Sequence, residues 1–255
     1  MMNNTISIQA YQELEYVFPY HYVSKMQIDG FTQHFVDSWG INYISTIELM
    51  LEYIGNCNIK SLIDIGCGDG RLIREIHKRF PLVKLKGVDY SSCAINLARA
   101  MNQDYPSLIY EQVDISSVNI SEKYDTAVLM EVFEHIPLEE TAVFLSSVHR
   151  SLKKGGLLFL TVPHSNKALE YKHFQHFSIK SISDYLYPYF DIVEVIPFEK
   201  KGLRRKLLEK VLCNSLFVLN NGRILKYIYE LHGKYLFHCS SEQDCQRIFV
   251  KAVAK

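Results

Sequence analysis

Five side chains that can bind a metal ion or accept a proton fall into two short clusters. Glu131, Glu134 and His135 follow an apolar run at 126–130, and His173 and His176 lie three residues apart further along the chain. Carboxylates and imidazoles together can hold a divalent cation such as Mg²⁺, Mn²⁺, Fe²⁺ or Zn²⁺. Without a metal, His135, His173 or His176 could act as a general base near neutral pH.

A second group of residues, at 64–70, has the composition of a ligand-binding turn. It reads Asp-Ile-Gly-Cys-Gly-Asp-Gly, and its glycines allow the backbone to turn sharply and to approach a ligand closely. Asp89 lies 19 residues beyond Gly70, a spacing at which a carboxylate can accept hydrogen bonds from both hydroxyls of a ribose. Asp64 and Asp69 would repel a pyrophosphate. The turn therefore favours a ligand that carries a cationic sulfonium and an amino acid.

The elements that must position these residues alternate along the chain. Apolar runs predict strands at 61–65, 85–88, 109–112, 126–130, 157–162, 192–196 and 247–253. Helical spacing of apolar residues predicts helices at 42–54, 72–80, 93–102, 139–152 and 179–187. This alternation indicates crossover connections and a parallel sheet. The residues after the strands are then expected at the carboxyl edge of the sheet, where such folds bind ligands.

Four segments, in the right order, resemble the motifs of class I S-adenosylmethionine-dependent methyltransferases. They are 62–70, Val88–Asp89, Val113–Ile115 and Leu152–Leu158, and the resemblance extends from residue 61 to 162. It implies an α/β fold with a doubly wound, Rossmann-like, mostly parallel sheet of seven strands and an antiparallel last strand. It also implies S-adenosyl-L-methionine as the cofactor, bound by Asp64, Gly66, Cys67, Gly68, Gly70, Asp89, Tyr90, Asp114, Ile115, Met130 and Glu131.

The Glu-x-x-Glu-His set has a narrower resemblance. It is similar to the set in the metal-dependent O-methyltransferases of ubiquinone synthesis and in the small-RNA 3′-terminal 2′-O-methyltransferases, where a later histidine completes the ligands. This implies that Glu131, Glu134, His135 and His176 hold a divalent metal. Many relatives show the same set without a metal, so both interpretations stay open. Under either one, the candidate catalytic residues are His135, His173, His176 and Glu131.

The segments outside these motifs have less definite roles. Residues 1–40 are rich in aromatic side chains and are interpreted as an N-terminal arm or lid, ahead of a methyltransferase domain at 41–255. Residues 200–240 are interpreted as a helical insertion before the last strand, with many leucines. Its apolar face predicts a cap over the carboxyl edge of the sheet; a membrane-surface helix pair and a homodimer contact are the alternatives.

The composition of the chain indicates which classes of binding partner and which cellular compartment to expect. Lys plus Arg and Asp plus Glu are both 28, so no net field draws the whole chain toward nucleic acid, which is not expected as a partner. The six cysteines form no Cys-x-x-Cys pair and the first residues show no signal pattern, which favours the cytoplasm. Apolar stretches end well before the about 18 residues of a membrane-spanning helix, so no transmembrane segment is expected.

The expected function is S-adenosylmethionine-dependent methylation of a small-molecule hydroxyl or acid oxygen. The acceptor classes are a sugar, a nucleotide-linked or phosphorylated metabolite, and a phenol. Oxygen is favoured over nitrogen because an aliphatic hydroxyl needs the activation that the Glu and His clusters could supply, whereas a neutral amine already carries a lone pair. The alternatives are an RNA 3′-terminal ribose 2′-O-methyltransferase and a non-catalytic cofactor-binding partner protein.

Overall fold

The computed structural model describes the backbone of residues 25–27, 30–32 and 39, and the whole of residues 40–118, 120–214, 216–217, 219 and 221–255. Two short strands, β1 (Lys25–Gln27) and β2 (Gly30–Thr32), pair in antiparallel orientation. The rest of the predicted arm at 1–40, up to the start of helix α1 at Trp39, lies outside the described residues.

Within the described residues, the main sheet has seven strands. They are β3 (Ser61–Ile65), β4 (Lys84–Asp89), β5 (Ile109–Gln112), β6 (Tyr124–Met130), β7 (Leu152–Pro163), β8 (Phe190–Lys200) and β9 (Cys245–Ala254). Their order is β5-β4-β3-β6-β7-β9-β8. The strands from β3 to β7 pair in parallel, and β9 is antiparallel to both of its neighbours. The predicted Rossmann-like sheet with an antiparallel last strand is therefore confirmed.

Helices cover both faces of this sheet. They are α1 (Trp39–Gly55), α2 (Arg71–Arg79), α3 (Ser92–Met101), α4 (Thr141–Ser151) and α5 (Ile179–Leu186). Successive strand residues point to opposite faces: Leu62 packs in one hydrophobic cluster with residues of α1, α2 and α3, and Ile63 packs in a second cluster with residues of α4 and α5. The strands β4 and β5 are added on one side of β3, whereas β6 and the strands after it are added on the other side. This change of direction between β3 and β6 leaves a crevice at their carboxyl ends, where such folds bind ligands.

Some boundaries differ from the predicted ones for local reasons. Strand β7 begins at Leu152, five residues before the predicted start, because Leu152 pairs with Tyr124 across an irregularity in the ladder. Helix α4 begins at Thr141, since a short 3₁₀ turn, Leu138–Glu140, precedes it after Pro137. Helix α5 begins as predicted, at a capping box made by Ser178 and Ser181.

The predicted insertion contains α6 (Leu203–Leu212), α7 (Gly222–His232) and a π-helical turn, Gly233–Phe237. Its buried polar side chains bind α1: Arg205 donates to Asn42 Oδ1 at 3.1 Å, and His232 Nε2 lies 3.0 Å from the same oxygen. Arg205 also pairs with Glu199, at the end of β8, at 2.5 Å. The insertion is thus fixed against the helix that precedes the first parallel strand.

No helix among the described residues is long and apolar enough to cross a lipid bilayer. The six cysteines, at 57, 67, 93, 213, 239 and 245, are all free thiols.

Arg205→Ala is expected to loosen the insertion from α1, because Glu199 and Asn42 would each lose a buried donor. Breaking one side of a buried ion pair costs on the order of 3 kcal/mol. Urea denaturation followed by circular dichroism would measure this loss of unfolding free energy. Arg204→Ala is the matched control, since Arg204 is the exposed neighbour on the same helix. Equal losses in the two variants would contradict the role assigned to Arg205.

Candidate active site

The glycine turn joins β3 to α2 in a conformation that requires glycine. Gly66, Gly68 and Gly70 have φ angles of 75°, 54° and 72°, in the left-handed region that other residues rarely adopt. A Cβ atom at Gly66 would lie 2.6 Å from Val132, and one at Gly70 would lie 2.6 Å from the Tyr110 ring. Both positions therefore exclude a side chain on account of packing inside the protein as well as backbone conformation.

Three carboxylates surround this turn. Asp89, the last residue of β4, is buried and accepts hydrogen bonds from the backbone N–H groups of Gly68, at 3.0 Å, and Ser91, at 2.9 Å. Asp64 and Asp69 are also buried. Burial, reinforced by the charges of Asp89 and Asp69, raises the pKa of Asp64 to about 8. Such a crowded acidic turn suits a ligand with positive charge.

The other predicted cofactor residues have varied surroundings. Tyr90 is exposed, and Asp114 is exposed and accepts a hydrogen bond from Ser116 N at 2.9 Å. Ile115 packs in the hydrophobic cluster with α4 and α5, so its side chain faces the core and a contact with an adenine would have to come from its main chain. Cys67 is buried, and burial raises the pKa of its thiol.

Glu131 follows β6 with a φ angle of 58°. Its Oε2 accepts a hydrogen bond from Arg247 Nε at 2.7 Å, and its Oε1 is buried with no hydrogen-bond partner among the described residues. Arg247, on β9, also donates to Glu199, which is the other described non-glycine residue with positive φ, at 61°. Arg247 is not among the site residues expected from the sequence; the signal for it is an arginine near the start of a mostly apolar strand.

A cleft lies beside Glu131 at the carboxyl edge of the sheet. It is small and open to solvent, and it is lined by Asn42, Tyr43, Thr46, Met130, Glu131 and Arg247. The contribution of α1 to this wall was also not predicted. The cleft joins the end of β6 to the helix that holds the insertion.

The two Glu and His clusters meet in the structure. Glu134, His135 and His173 each place a carboxylate oxygen or ring nitrogen within 4.8 Å of the others. Glu134 is buried, and neither of its carboxylate oxygens has a hydrogen-bond partner among the described residues. A buried carboxylate without hydrogen bonds is costly unless a cation or a proton neutralises it.

Hydrogen bonds to backbone carbonyl oxygens indicate which ring nitrogen of each histidine carries the proton. His135 Nδ1 lies 3.0 Å from the Lys172 carbonyl oxygen and His176 Nδ1 lies 3.1 Å from that of Lys167, so each Nδ1 carries the proton and donates it. His176 Nε2 then accepts from His173 Nδ1 at 2.8 Å. The unprotonated nitrogens of His135 and His173 are therefore both Nε2, the form in which imidazole binds metals.

Two of the four predicted metal ligands, Glu131 and His176, lie outside this group of three residues. His173, named in the sequence analysis only as a catalytic candidate, belongs to the three-residue group, and His176 lies behind it as its hydrogen-bond partner. Glu131 lies outside the group because Arg247 binds its carboxylate. Glu134 and His135 keep the places that the resemblance implied.

The electrostatics of the group follow from burial. Burial, with the charge of Glu131 next in size, raises the pKa of Glu134 well above its usual range. Burial, with His135 next, lowers the pKa of His173 to about 3, and burial also lowers the pKa of His176. At neutral pH these two imidazoles are neutral.

Comparisons with known proteins show similarity to methyltransferases. Residues 63–158 match a family described as a methyltransferase domain. A ubiquinone biosynthesis O-methyltransferase from Nitrosomonas europaea is 28% identical over 136 residues, which cover 52% of this chain and 54% of that protein. A malonyl-[acyl-carrier protein] O-methyltransferase from Halalkalibacterium halodurans is 31% identical over 107 residues, covering 40% of this chain and 38% of that protein. The chain spans about half, or less, of the length of these curated relatives.

Among solved structures, the N-methyltransferase NodS from Bradyrhizobium japonicum, in complex with S-adenosyl-L-homocysteine, has the same fold. The TM-score is 0.56 at 13% sequence identity, with 86% of this chain and 88% of that chain covered. The matched family segment begins in β3 and ends in β7, so it includes the glycine turn, Asp89 and the Glu131–His135 segment. Residues 63–158 therefore match a methyltransferase domain, and they lie within a Rossmann-like sheet.

Proposed function

We propose that this protein transfers the methyl group of S-adenosylmethionine to an oxygen atom of a small-molecule acceptor. The observation that carries the proposal is the Glu134–His135–His173 group, which lies at the same sheet edge as the glycine turn. An aliphatic hydroxyl needs such activation before it can attack a methyl group. Both curated relatives described above are named as O-methyltransferases, whereas the solved N-methyltransferase supports the fold alone.

The turn and its carboxylates fit the methyl donor. Asp89 ends β4 beside the turn, where its carboxylate would accept from the ribose hydroxyls. Buried Asp64 and Asp69 favour a cationic ligand, since a bound positive charge offsets their mutual repulsion. Glu131 Oε1, buried without a described partner, fits a positively charged donor such as the amino group of the methionine part.

The donors of the Glu134 group also fit a divalent cation. Glu134 offers two buried oxygens without hydrogen bonds, and His135 and His173 each offer an unprotonated Nε2. Two imidazoles and one carboxylate suit Zn²⁺, Fe²⁺ or Mn²⁺ better than Mg²⁺, which prefers oxygen ligands. When bound there, such a cation would lower the pKa of an acceptor hydroxyl.

The surrounding residues hold this group in place. His176 accepts the His173 proton and itself donates to the Lys167 carbonyl, which orients the His173 ring. The Glu134 carbonyl accepts from Phe174 N at 2.9 Å, which joins the loop at 173–176 to the end of β6. His173, with its pKa lowered to about 3, is a weak base. In a metal-free reaction the proton acceptor would therefore be His135.

The acceptor class remains a sugar, a nucleotide-linked or phosphorylated metabolite, or a phenol. The cleft lined by Tyr43 and Thr46 lies beside Glu131, at the sheet edge where an acceptor would approach the methyl donor. Arg247 is already paired with two glutamates, so it is a poor site for an acceptor phosphate.

Asp89→Ala is expected to weaken binding of S-adenosylmethionine and S-adenosylhomocysteine about 10- to 100-fold, because a charge-assisted hydrogen bond contributes about 1.5–3 kcal/mol. Isothermal titration calorimetry of the metal-stripped protein would measure both affinities. Asp104→Ala is the control, since Asp104 is exposed on a loop after α3. Unchanged affinity in Asp89→Ala would contradict the ribose role, and absence of binding to the wild type would overturn the proposed function.

Asp64→Asn is expected to stabilise the ligand-free protein relative to the wild type by an amount that grows between pH 4 and pH 8. The folded protein holds the Asp64 proton up to a pKa of about 8, whereas the unfolded chain loses it near the usual value of 3.8. Wild-type stability from this group therefore falls as pH rises through that window, by a few kcal/mol in total, and the uncharged amide avoids the loss. Urea denaturation of both proteins at several pH values measures the difference. A difference that is constant with pH would show that Asp64 is ionised throughout.

Glu134→Gln and His173→Asn are expected to lower the affinity for Zn²⁺ or Mn²⁺ by tenfold or more, with a smaller effect for His176→Asn. Metal content after dialysis, measured by elemental analysis, gives a result that does not depend on activity. Glu139→Gln is the matched control, because Glu139 is exposed five residues further on. If the wild type holds no ion and chelator leaves methyl transfer unchanged, the metal-free reaction with His135 as the base applies.

A further inference from the structure

The outer face of the insertion exposes an unusual amount of apolar surface. Leu203 and Leu207 on α6 are 83% and 64% exposed, and Leu216 in the connection to α7 is 88% exposed. Ile224, Tyr227 and Leu231 on α7 are also exposed, as is Tyr235 in the turn that follows. Exposed apolar side chains concentrated in one segment of a chain are typical of a site where a protein meets a partner or a membrane.

The exposed residues of α7 form one stripe. Ile224, Tyr227, Leu231 and Tyr235 follow one another at spacings of three, four and four residues, which keeps them on one side of a helix. A neighbouring side of α7 binds the protein, since His232, the residue after Leu231, is buried and lies 3.2 Å from Ser45 Oγ of α1. The apolar stripe is therefore not needed to hold the helix in the fold.

Basic side chains flank this stripe. Arg223, Lys226 and Lys234 are exposed on the adjacent line of α7 and its following turn, and Lys206 and Lys210 are exposed on α6. Residues 201–240 contain eight Lys and Arg but two Asp and Glu, although the whole chain has 28 of each. Positive charge is thus concentrated on the segment that exposes apolar residues.

Exposed apolar residues flanked by basic side chains favour one kind of binding partner over the others. A second copy of the chain docking through the same face would bring two positive surfaces together, because a two-fold interface pairs a patch with itself. A polyanion would bind through the Lys and Arg side chains, so it would not account for the exposure of Leu203, Leu207 and Leu231. Apolar side chains that sink below the headgroups, with Lys and Arg on anionic phosphates, match an interfacial membrane helix.

We propose that α6 and α7 form a docking surface for an anionic phospholipid bilayer, with the stripe Ile224, Tyr227, Leu231 and Tyr235 inserted at the headgroup level. The inner side of α7 contacts α1, whose Asn42 and Thr46 line the cleft at the carboxyl edge. Docking would therefore hold the cleft close to the membrane surface. The inference does not depend on methyl transfer, because membrane binding is measured without donor or acceptor.

The test is co-sedimentation of the full chain with vesicles of phosphatidylcholine alone and with about one third phosphatidylglycerol. The wild type should bind the anionic vesicles at least tenfold more tightly than the neutral ones. Ile224→Ser combined with Leu231→Ser should reduce that binding at least tenfold, since two apolar side chains are withheld from the bilayer. Lys226→Glu combined with Lys234→Glu should reduce it similarly and lower its salt dependence.

Control variants distinguish a loss of membrane docking from a loss of folding and from a general change in surface hydrophobicity or charge. Leu82→Ser removes an apolar residue that is 97% exposed elsewhere on the surface, and Lys154→Glu reverses an exposed charge on β7; both should bind vesicles as the wild type does. An unchanged circular dichroism spectrum and an unchanged urea midpoint show that each variant is folded. The proposal is overturned if neither vesicle recruits the wild type, if the serine variant binds as the wild type does, or if gel filtration shows a dimer that the serine variant dissociates.

Discussion

Much of this structure depends on Arg247, a buried cation held between the buried carboxylate of Glu199 and the partly buried carboxylate of Glu131. It donates to Glu131 at the end of β6 and to Glu199 at the end of β8, while its own strand, β9, lies between β7 and β8. Both glutamates have left-handed backbone conformations, each of which costs roughly 1–2 kcal/mol for a residue with a Cβ. The ion pairs offset that cost. The local backbone after β6, where the candidate catalytic residues begin, is thus set by a residue from the last strand.

The same pairing connects the site to the insertion. Glu199 binds Arg205 on α6 as well as Arg247, and Arg205 binds Asn42 on α1. Asn42 lines the cleft beside Glu131. A chain of buried polar contacts therefore runs from the outer helices to the carboxyl edge without leaving the protein. Because buried ion pairs have few alternative partners, these contacts fix the relative position of their elements more than they add net stability.

The parts that sequence predicts well are local. The glycine turn, the strand before it and the position of Asp89 depend on neighbouring residues, and the structure has the expected strand, turn and helix. Arg247 could not be assigned, since its partners lie 116 and 48 residues away along the chain. Spacing also does not distinguish His173 from His176: the Lys167 carbonyl holds the His176 ring, and the hydrogen bond between the two rings leaves His173 facing Glu134 in an irregular loop. Helical periodicity predicts nothing there.

Buried acidic side chains are concentrated at the carboxyl edge of the sheet. Asp64, Asp69, Asp89 and Glu134 are buried near one edge of the sheet, and Glu131 is partly buried beside them. Arg247 neutralises one oxygen of Glu131 but none of the other four groups, according to the contacts of the described residues. Burying several like charges is unfavourable in the ligand-free protein, which is why the pKa values of Asp64 and Glu134 are raised. Asp64 is affected by the charges of Asp69 and Asp89, and Glu134 by that of Glu131, so each of the two groups of acids carries its own electrostatic cost.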